Sequence, residues 1–230
     1  MVDYFLLMGA RVVAISRSET KPSVSGDFLM IRNDIANKLQ ITDILEKLAL
    51  VPDILINNAG QIIYKPLMEI SREEIEKLFD VNLISTFILT KHVAKLMIKN
   101  NCHGVIVNTL SYAVQIPSVG TGMYAASKAA LASLTRTLAA ELAPYNIRVN
   151  GYSPGVIRTA MTKTTRAQDE LDTLNNIALN RIGLPTEMVE IVAFLASERS
   201  AYITGCNLDA TGGKFIVQNA SVAWRKSENH

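Results

Sequence analysis

The chain has 230 residues, enough for one large domain with its own hydrophobic core. Its 23 basic and 21 acidic residues are interspersed and leave a formal charge of +2, without the basic stripe that marks a nucleic-acid binder or a protein of anionic membranes. The two cysteines, Cys102 and Cys206, are too few and too far apart for a disulfide framework or a metal-ligand pattern, so no metal site is expected and both read as thiols of a reducing cytoplasm.

The opening Met1 to Met8 lacks a basic n-region and a cleavage site, and no later run approaches the ~20 apolar residues of a membrane span. The expectation is a soluble, cytoplasmic protein with a small-molecule ligand and neither nucleic acid nor membrane as partner. Val2, Phe5 and Leu6, followed by Gly9 as a C-cap, read as the tail of a helix. Short apolar runs then read as strands at 11–16, 53–57, 104–109, 147–152 and 206–209, and their near-continuous apolar character implies burial on both faces.

Helices alternate with these strands. Ser71 and Glu74 form a capping box ahead of Ile75, Leu78 and Phe79. A second helix is expected from about Asn82 to Lys99, a third from about Tyr124 to Leu142 until Pro144 stops it, and a fourth over Met188 to Ala196 with Thr186 as N-cap and Glu187 and Glu190 in its first turn. Strand and helix in alternation predict an α/β fold, a Rossmann-like doubly wound parallel sheet with helices on both faces, in a single domain over residues 1–230.

The chemistry-bearing residues fall at strand ends. Tyr124 and Lys128 are four apart on one helix face, a spacing at which an ammonium can favour the phenolate and bring a phenol of pKa ~10 towards the working range. That pair alone is unspecific, since Tyr-x-x-x-Lys arises by chance on many helices. Ser111 follows the apolar strand that begins at Gly104, where the carboxyl end of a parallel strand faces the ligand crevice, and its hydroxyl can hold a substrate carbonyl. Asn57-Asn58-Ala59-Gly60 follows another strand, and Asn82 opens the next helix.

Taken in order, Asn-Asn-Ala-Gly, Asn82, Ser111, Tyr124-Ala-Ala-Ser-Lys128 and Asn150-Gly-Tyr-Ser-Pro154-Gly155-Val-Ile157-Arg-Thr159 resemble the short-chain dehydrogenase/reductase family. The resemblance continues through Arg181-Ile-Gly-Leu-Pro-Thr-Glu, Phe194-Leu-Ala-Ser and Tyr202-Ile-Thr-Gly, phrases close to those of carbonyl-reductase-like and 3-oxoacyl-carrier-protein-reductase-like members. It implies a nicotinamide-dependent oxidoreductase that interconverts a carbonyl and an alcohol. Tyr124 would be the general acid/base, Ser111 would orient the carbonyl, Lys128 would lower the tyrosine pKa and hold the nicotinamide ribose, and Asn82 would support a proton relay through water.

The resemblance also implies the cofactor contacts. Asp34 and Ile35 would lie beside the adenine, Asn58, Ala59 and Gly60 along the adenosine ribose, and the loop Pro154, Gly155, Ile157 and Thr159 around the nicotinamide amide. Ser16 and Arg17 stand where NAD-preferring relatives carry an acid, and an arginine suits a 2'-phosphate, so NADP(H) is favoured over NAD(H). Relatives pair the helices that start near Asn82 and Tyr124 across a two-fold axis, so a homodimer or homotetramer is expected. The segment 160–185 reads as a polar lid over a substrate that the sequence does not name.

Two departures accompany the resemblance. Ala210-Thr211-Gly212-Gly213 stands where the family has Val-Asp-Gly-Gly. The strand and Thr-Gly-x-x-x-Gly-x-Gly turn with which family members open are not among these residues, and Met1 falls inside the helix that would follow. The chain alone is therefore expected to bind dinucleotide poorly. Either 11–16 is expected to pair directly with 53–57 in a six-stranded sheet, or another segment fills the gap, or the chain is a fragment. A silent binding or scaffold protein is the alternative function.

Overall fold

The computed structural model describes residues 1–48, 50–159, 174–214 and 216–227. The described residues form α1 (Val2–Leu7), β1 (Val12–Ser16), β2 (Phe28–Arg32), α2 (Lys38–Lys47), β3 (Ile54–Asn57), α3 (Arg72–Phe79), α4 (Thr86–Lys99), β4 (Val105–Thr109), α5 (Gly122–Leu142), β5 (Arg148–Pro154), α6 (Pro185–Ala196), β6 (Asn207–Ala210) and α7 (Ser221–Ser227). Most of the expected segment 160–185 lies outside the described residues.

All strand pairs are parallel. Beside β3, β4 carries alternate residues to opposite faces. Ile106 joins a core with Val93 and Met97 of α4 and with Leu138 and Leu142 of α5, whereas Val105 and Val107 meet Val192 and Leu195 of α6, with Met1 and Phe5 of α1 against the same cluster. A strand whose two faces both meet helices needs no polar side, which is why 105–107 reads as an unbroken apolar run. The fold is the expected α/β Rossmann-like one.

The sheet does not close. β3, β4, β5 and β6 form one four-stranded sheet, while β1 and β2 form a separate pair in the register Val12 to Phe28 through Ser16 to Arg32. Residues 11–16 do not pair with 53–57, which removes the six-stranded alternative. Three elements were not anticipated, β2, α2 and α7. Phe28-Leu-Met-Ile is a short apolar run of the same kind as the others, and the polar stretch ahead of it hid the repeat.

Two boundaries differ from expectation. Asn82 does not open a helix: Asp80–Ser85 is a π-helical turn that joins α3 to α4 in one helix over Arg72–Lys99. This 28-residue helix is long and apolar enough to cross a bilayer by length and composition, yet Leu78, Asn82, Leu89, Val93 and Met97 are buried within the domain. A π turn gives one extra residue to a turn and rotates the following face, a device often found at functional sites. The fourth expected helix starts with Pro185 at its first position, not after Thr186; the Leu184 amide donates to the Glu187 carboxylate at 2.8 Å. The Ser71 and Glu74 capping box forms as read, with its two bonds at 3.2 and 2.7 Å.

Candidate active site

The carboxyl ends of the strands deliver the site, because in a parallel sheet every βα connection leaves from the same edge. β4 ends at Thr109 and leads through Leu110 to Ser111, which caps a short 3-10 turn over Tyr112–Val114 and accepts the Ala113 amide at 3.2 Å. Ser111 is 4% exposed, and the Ser153 hydroxyl of β5 donates to its carbonyl at 3.0 Å. The serine is thus held from both sides, with its hydroxyl turned to the first turns of α5.

Tyr124 sits in the first turn of α5, and burial pushes its phenol above the ordinary value. Ser111 beside the phenol pulls it partly back, while Tyr64 and Tyr112 raise it. The structure therefore brings Ser111 and Tyr124 together, thirteen residues apart in sequence, as expected.

Lys128 is one turn further along α5 and 4% exposed. Its ammonium donates to the Thr109 carbonyl at 2.8 Å, and desolvation lowers it to about 8. Burial is the largest influence on the Tyr124 phenol, and it raises it.

Asn82 is fully buried in the π turn. Its amide accepts from the Gln61 amide at 2.9 Å and donates to the Gln61 carbonyl and to the Ser127 hydroxyl, both at 3.0 Å. Ser127 in turn donates to the Tyr124 carbonyl at 2.7 Å. A Cβ placed on Gly60 would lie 3.4 Å from both Asn82 Oδ1 and Lys128 Nζ, so Gly60 passes close over the two. Asn82, Gly60 and Lys128 form one cluster, with Ser127 as the link that sequence reading passed over. Its signal was present, since Ser127 lies three residues after Tyr124 and faces the same side of the helix.

The residues expected to hold a nicotinamide cofactor line the same edge. The Thr109 hydroxyl donates to Asn58 Oδ1 at 3.1 Å and is hydrogen-bonded to the Tyr152 hydroxyl at 3.2 Å, which ties the end of β3 to that of β5. Asn58 and Ala59 are exposed. Pro154 ends β5, and at Gly155 a Cβ would meet the Thr211 backbone at 2.8 Å, so the loop approaches β6 as only glycine allows. Ile157 is buried and bridges to Gly183, and Thr159 is exposed.

The remaining expected residues lie on the separate strand pair. Ser16 ends β1 opposite Arg32, Arg17 is exposed, and Arg32 Nε donates to the Arg17 carbonyl at 3.3 Å. Asp34 accepts the Ala36 amide at 3.0 Å and turns the chain after β2, and Ile35 packs against the core. The close backbone passes at Gly60 and Gly155 and the exposed strand ends suit an extended dinucleotide, so the residues present fit its adenosine and nicotinamide ends. Among the described residues no group of three or more His, Cys, Asp or Glu could hold a metal ion.

The comparisons with known proteins agree with this geometry. The family described as enoyl-(acyl carrier protein) reductase matches residues 3–214. The chain is 34% identical over 218 residues to 3-oxoacyl-(acyl-carrier-protein) reductase of Vibrio cholerae, across 91% of this chain and 88% of that one. It is 38% identical over 166 residues to human (3R)-3-hydroxyacyl-CoA dehydrogenase, a match over 72% of this chain but only 63% of the human protein's length.

Among solved structures, 4-hydroxyisoleucine dehydrogenase complexed with NADH superposes with a TM-score of 0.90 at 32% identity, covering 94% of this chain and 93% of that one. A short chain dehydrogenase from Leptospira borgpetersenii with bound NAD+ gives 0.83 at 35% identity, over 92% and 85% of the two chains. With its parallel Rossmann-like fold and these relatives, the chain belongs to the short-chain dehydrogenase/reductase family of oxidoreductases, on the side of the 3-oxoacyl-(acyl-carrier-protein) reductases.

Proposed function

We propose that the protein interconverts a carbonyl and an alcohol, with Tyr124 giving or taking the proton at the substrate oxygen. The observation that carries this reading is the buried Tyr124 phenol beside Ser111 at the carboxyl edge of the sheet. The nicotinamide cofactor, when bound, supplies or accepts the hydride. A phenol raised by burial stays protonated at neutral pH and is poised to donate to the oxygen of a carbonyl undergoing reduction. Ser111, fixed by the Ala113 amide and the Ser153 hydroxyl, orients that oxygen.

Lys128 brings a titratable cation to the cluster of Asn82 and Gly60, beside the expected ribose contacts Asn58 and Ala59. With its ammonium at about 8, it is suited to pass a proton on near neutral pH, and Asn82 holds the Gln61 backbone at the other side of that cluster. Asp34 and Ile35 would flank the adenine, and Pro154 to Thr159 the nicotinamide amide. Arg17 and Arg32, exposed together at the ends of β1 and β2, favour NADP(H) over NAD(H), since two guanidinium groups suit a 2'-phosphate.

In this reading the protein works in the cytoplasm, where Cys102 and Cys206 remain the free thiols seen in the structure, and assembles as a homodimer or homotetramer. A second reading, binding without turnover, draws on the open sheet between β1 and β3. A screen of ketones and 3-oxo esters with NADPH, followed by the loss of cofactor absorbance, separates the two: turnover removed by Tyr124→Phe establishes the enzyme, and no turnover with any carbonyl leaves the binding protein.

A further inference from the structure

The structure assigns a second substrate contact to Lys214: we propose that its ammonium, held over Tyr112 at the mouth of the site, selects carbonyl substrates that carry a carboxylate. The proposal rests on the carbonyl/alcohol reading above and adds to it the substrate class.

Lys214 follows two glycines with positive φ, Gly212 at 68° and Gly213 at 76°. Consecutive left-handed residues reverse the chain within one step, a path that side-chain-bearing residues rarely take. The space around Gly213 is tight as well, since a Cβ there would meet Ala178 Cβ at 2.8 Å. The Lys214 amide then donates to the Thr211 hydroxyl at 3.1 Å, and Lys214 bridges to Ile177. The backbone that bears Lys214 is therefore fixed from two sides.

That fixed backbone sends the ammonium to within 5.1 Å of the Tyr112 ring centroid. Tyr112 is the residue after Ser111, and its phenol and that of Tyr64 both act electrostatically on Tyr124. On the other side, the Thr211 backbone presses on Gly155, in the loop expected around the nicotinamide. Lys214 thus joins the loop after β6 to Tyr112, the residue next to Ser111.

Lys214 is half-buried, and desolvation lowers its ammonium. The face of an aromatic ring attracts a cation and holds it in such a place. A carboxylate arriving there meets a pre-oriented, partly desolvated donor, and charge-assisted hydrogen bonds in that setting are the strong ones. The carboxylate that Lys214 selects is carried by the same substrate as the reacting carbonyl. A neutral ketone or ester gains nothing from this contact, and the difference between the two is the specificity.

The test compares acetoacetate with its ethyl ester, one substrate with a carboxylate and one without, in the full chain with NADPH. Lys214→Met is expected to raise the ratio of the two KM values, acid over ester, by about ten-fold or more, the size of one lost hydrogen bond to a charged group. Lys214→Arg is expected to bring back most of the preference. An unchanged ratio, or the same loss for acid and ester, overturns the proposal.

A binding measurement separates this outcome from failure of the carbonyl/alcohol reading. Acetoacetate is titrated by calorimetry into Tyr124→Phe protein with NADPH, and into the Tyr124→Phe, Lys214→Met double variant. Weaker binding to the double variant supports the contact even where no ketone is turned over, and equal binding refutes it.

Discussion

The strand pair of β1 and β2 and the four-stranded sheet of β3 to β6 use the same kinds of residue to different effect. In β4, Val105 to Asn108 are all buried and both faces meet helices; in β1, all five residues are only half-buried, and one side of the strand has no ladder. The proposed acid–base residues stand on the first kind of framework, with Ser111 and the Lys128 anchor at the end of β4. The expected adenosine contacts Ser16, Arg17 and Asp34 ride on the second. Two strands alone are marginal, whereas several strands packed on both faces hold a site to the fraction of an ångström that proton transfer needs.

The sharpest way to break this comparison is Tyr124→Phe. It removes one hydroxyl from the rigid half, so carbonyl reduction is expected to fall by about 10²–10⁴-fold while the thermal midpoint stays near that of the parent. Near-parental turnover from a folded Tyr124→Phe protein would remove Tyr124 from the mechanism.

Next in size, Ile106→Ala and Ile15→Ala test the two frameworks directly. Ile106 is fully buried between α4 and α5, so its truncation is expected to cost about 2–5 kcal/mol in urea unfolding, and Ile15→Ala clearly less. Equal losses would show that the two-stranded pair is as well packed as the larger sheet.

The pH dependence of stability reports on Lys128. Its folded pKa of about 8 lies below the 10.5 of the free side chain, so the unfolded chain binds more protons between those values. The cost of burying the cation is fully present below pH 8 and is relieved as pH rises from 8 towards 10.5. The urea midpoint of the parent, relative to that of Lys128→Met, is therefore expected to climb over this range. A flat difference would place the ammonium in water.

The smallest effect is expected in the open half. Arg17→Ala should weaken NADPH binding by about ten-fold through loss of one charge-assisted contact and leave NADH binding near its starting value. Equal changes for both cofactors in a fluorescence titration would take Arg17 away from the 2'-phosphate.

Much of this molecule was legible in the order of its residues. The apolar runs around Ile15, Ile56, Val107 and Val149 named the buried strands because a strand covered on both faces has no polar side to show. The Ser71 and Glu74 box named a helix start because both partners are local. Tyr124, Lys128 and Ser111 were singled out by helix spacing and a strand end, whereas Asn82 and Gly60 took their roles from the family resemblance. What spacing leaves open is which partner each group takes. Tyr124 and Lys128 share a face in any α-helix, but only the packed structure sends the lysine to the Thr109 carbonyl and leaves the phenol to burial and Ser111.

The π turn at Asp80–Ser85 and the position of Lys214 over Tyr112 belong to the same class. So does the failure of β1 to pair with β3. Local sequence determined the elements and their chemistry, since periodicity, caps and turns act over a few residues. Tertiary structure decided the hydrogen-bond partners, the pKa directions and the sheet pairing, since these depend on residues far apart in the chain that meet only when the core closes.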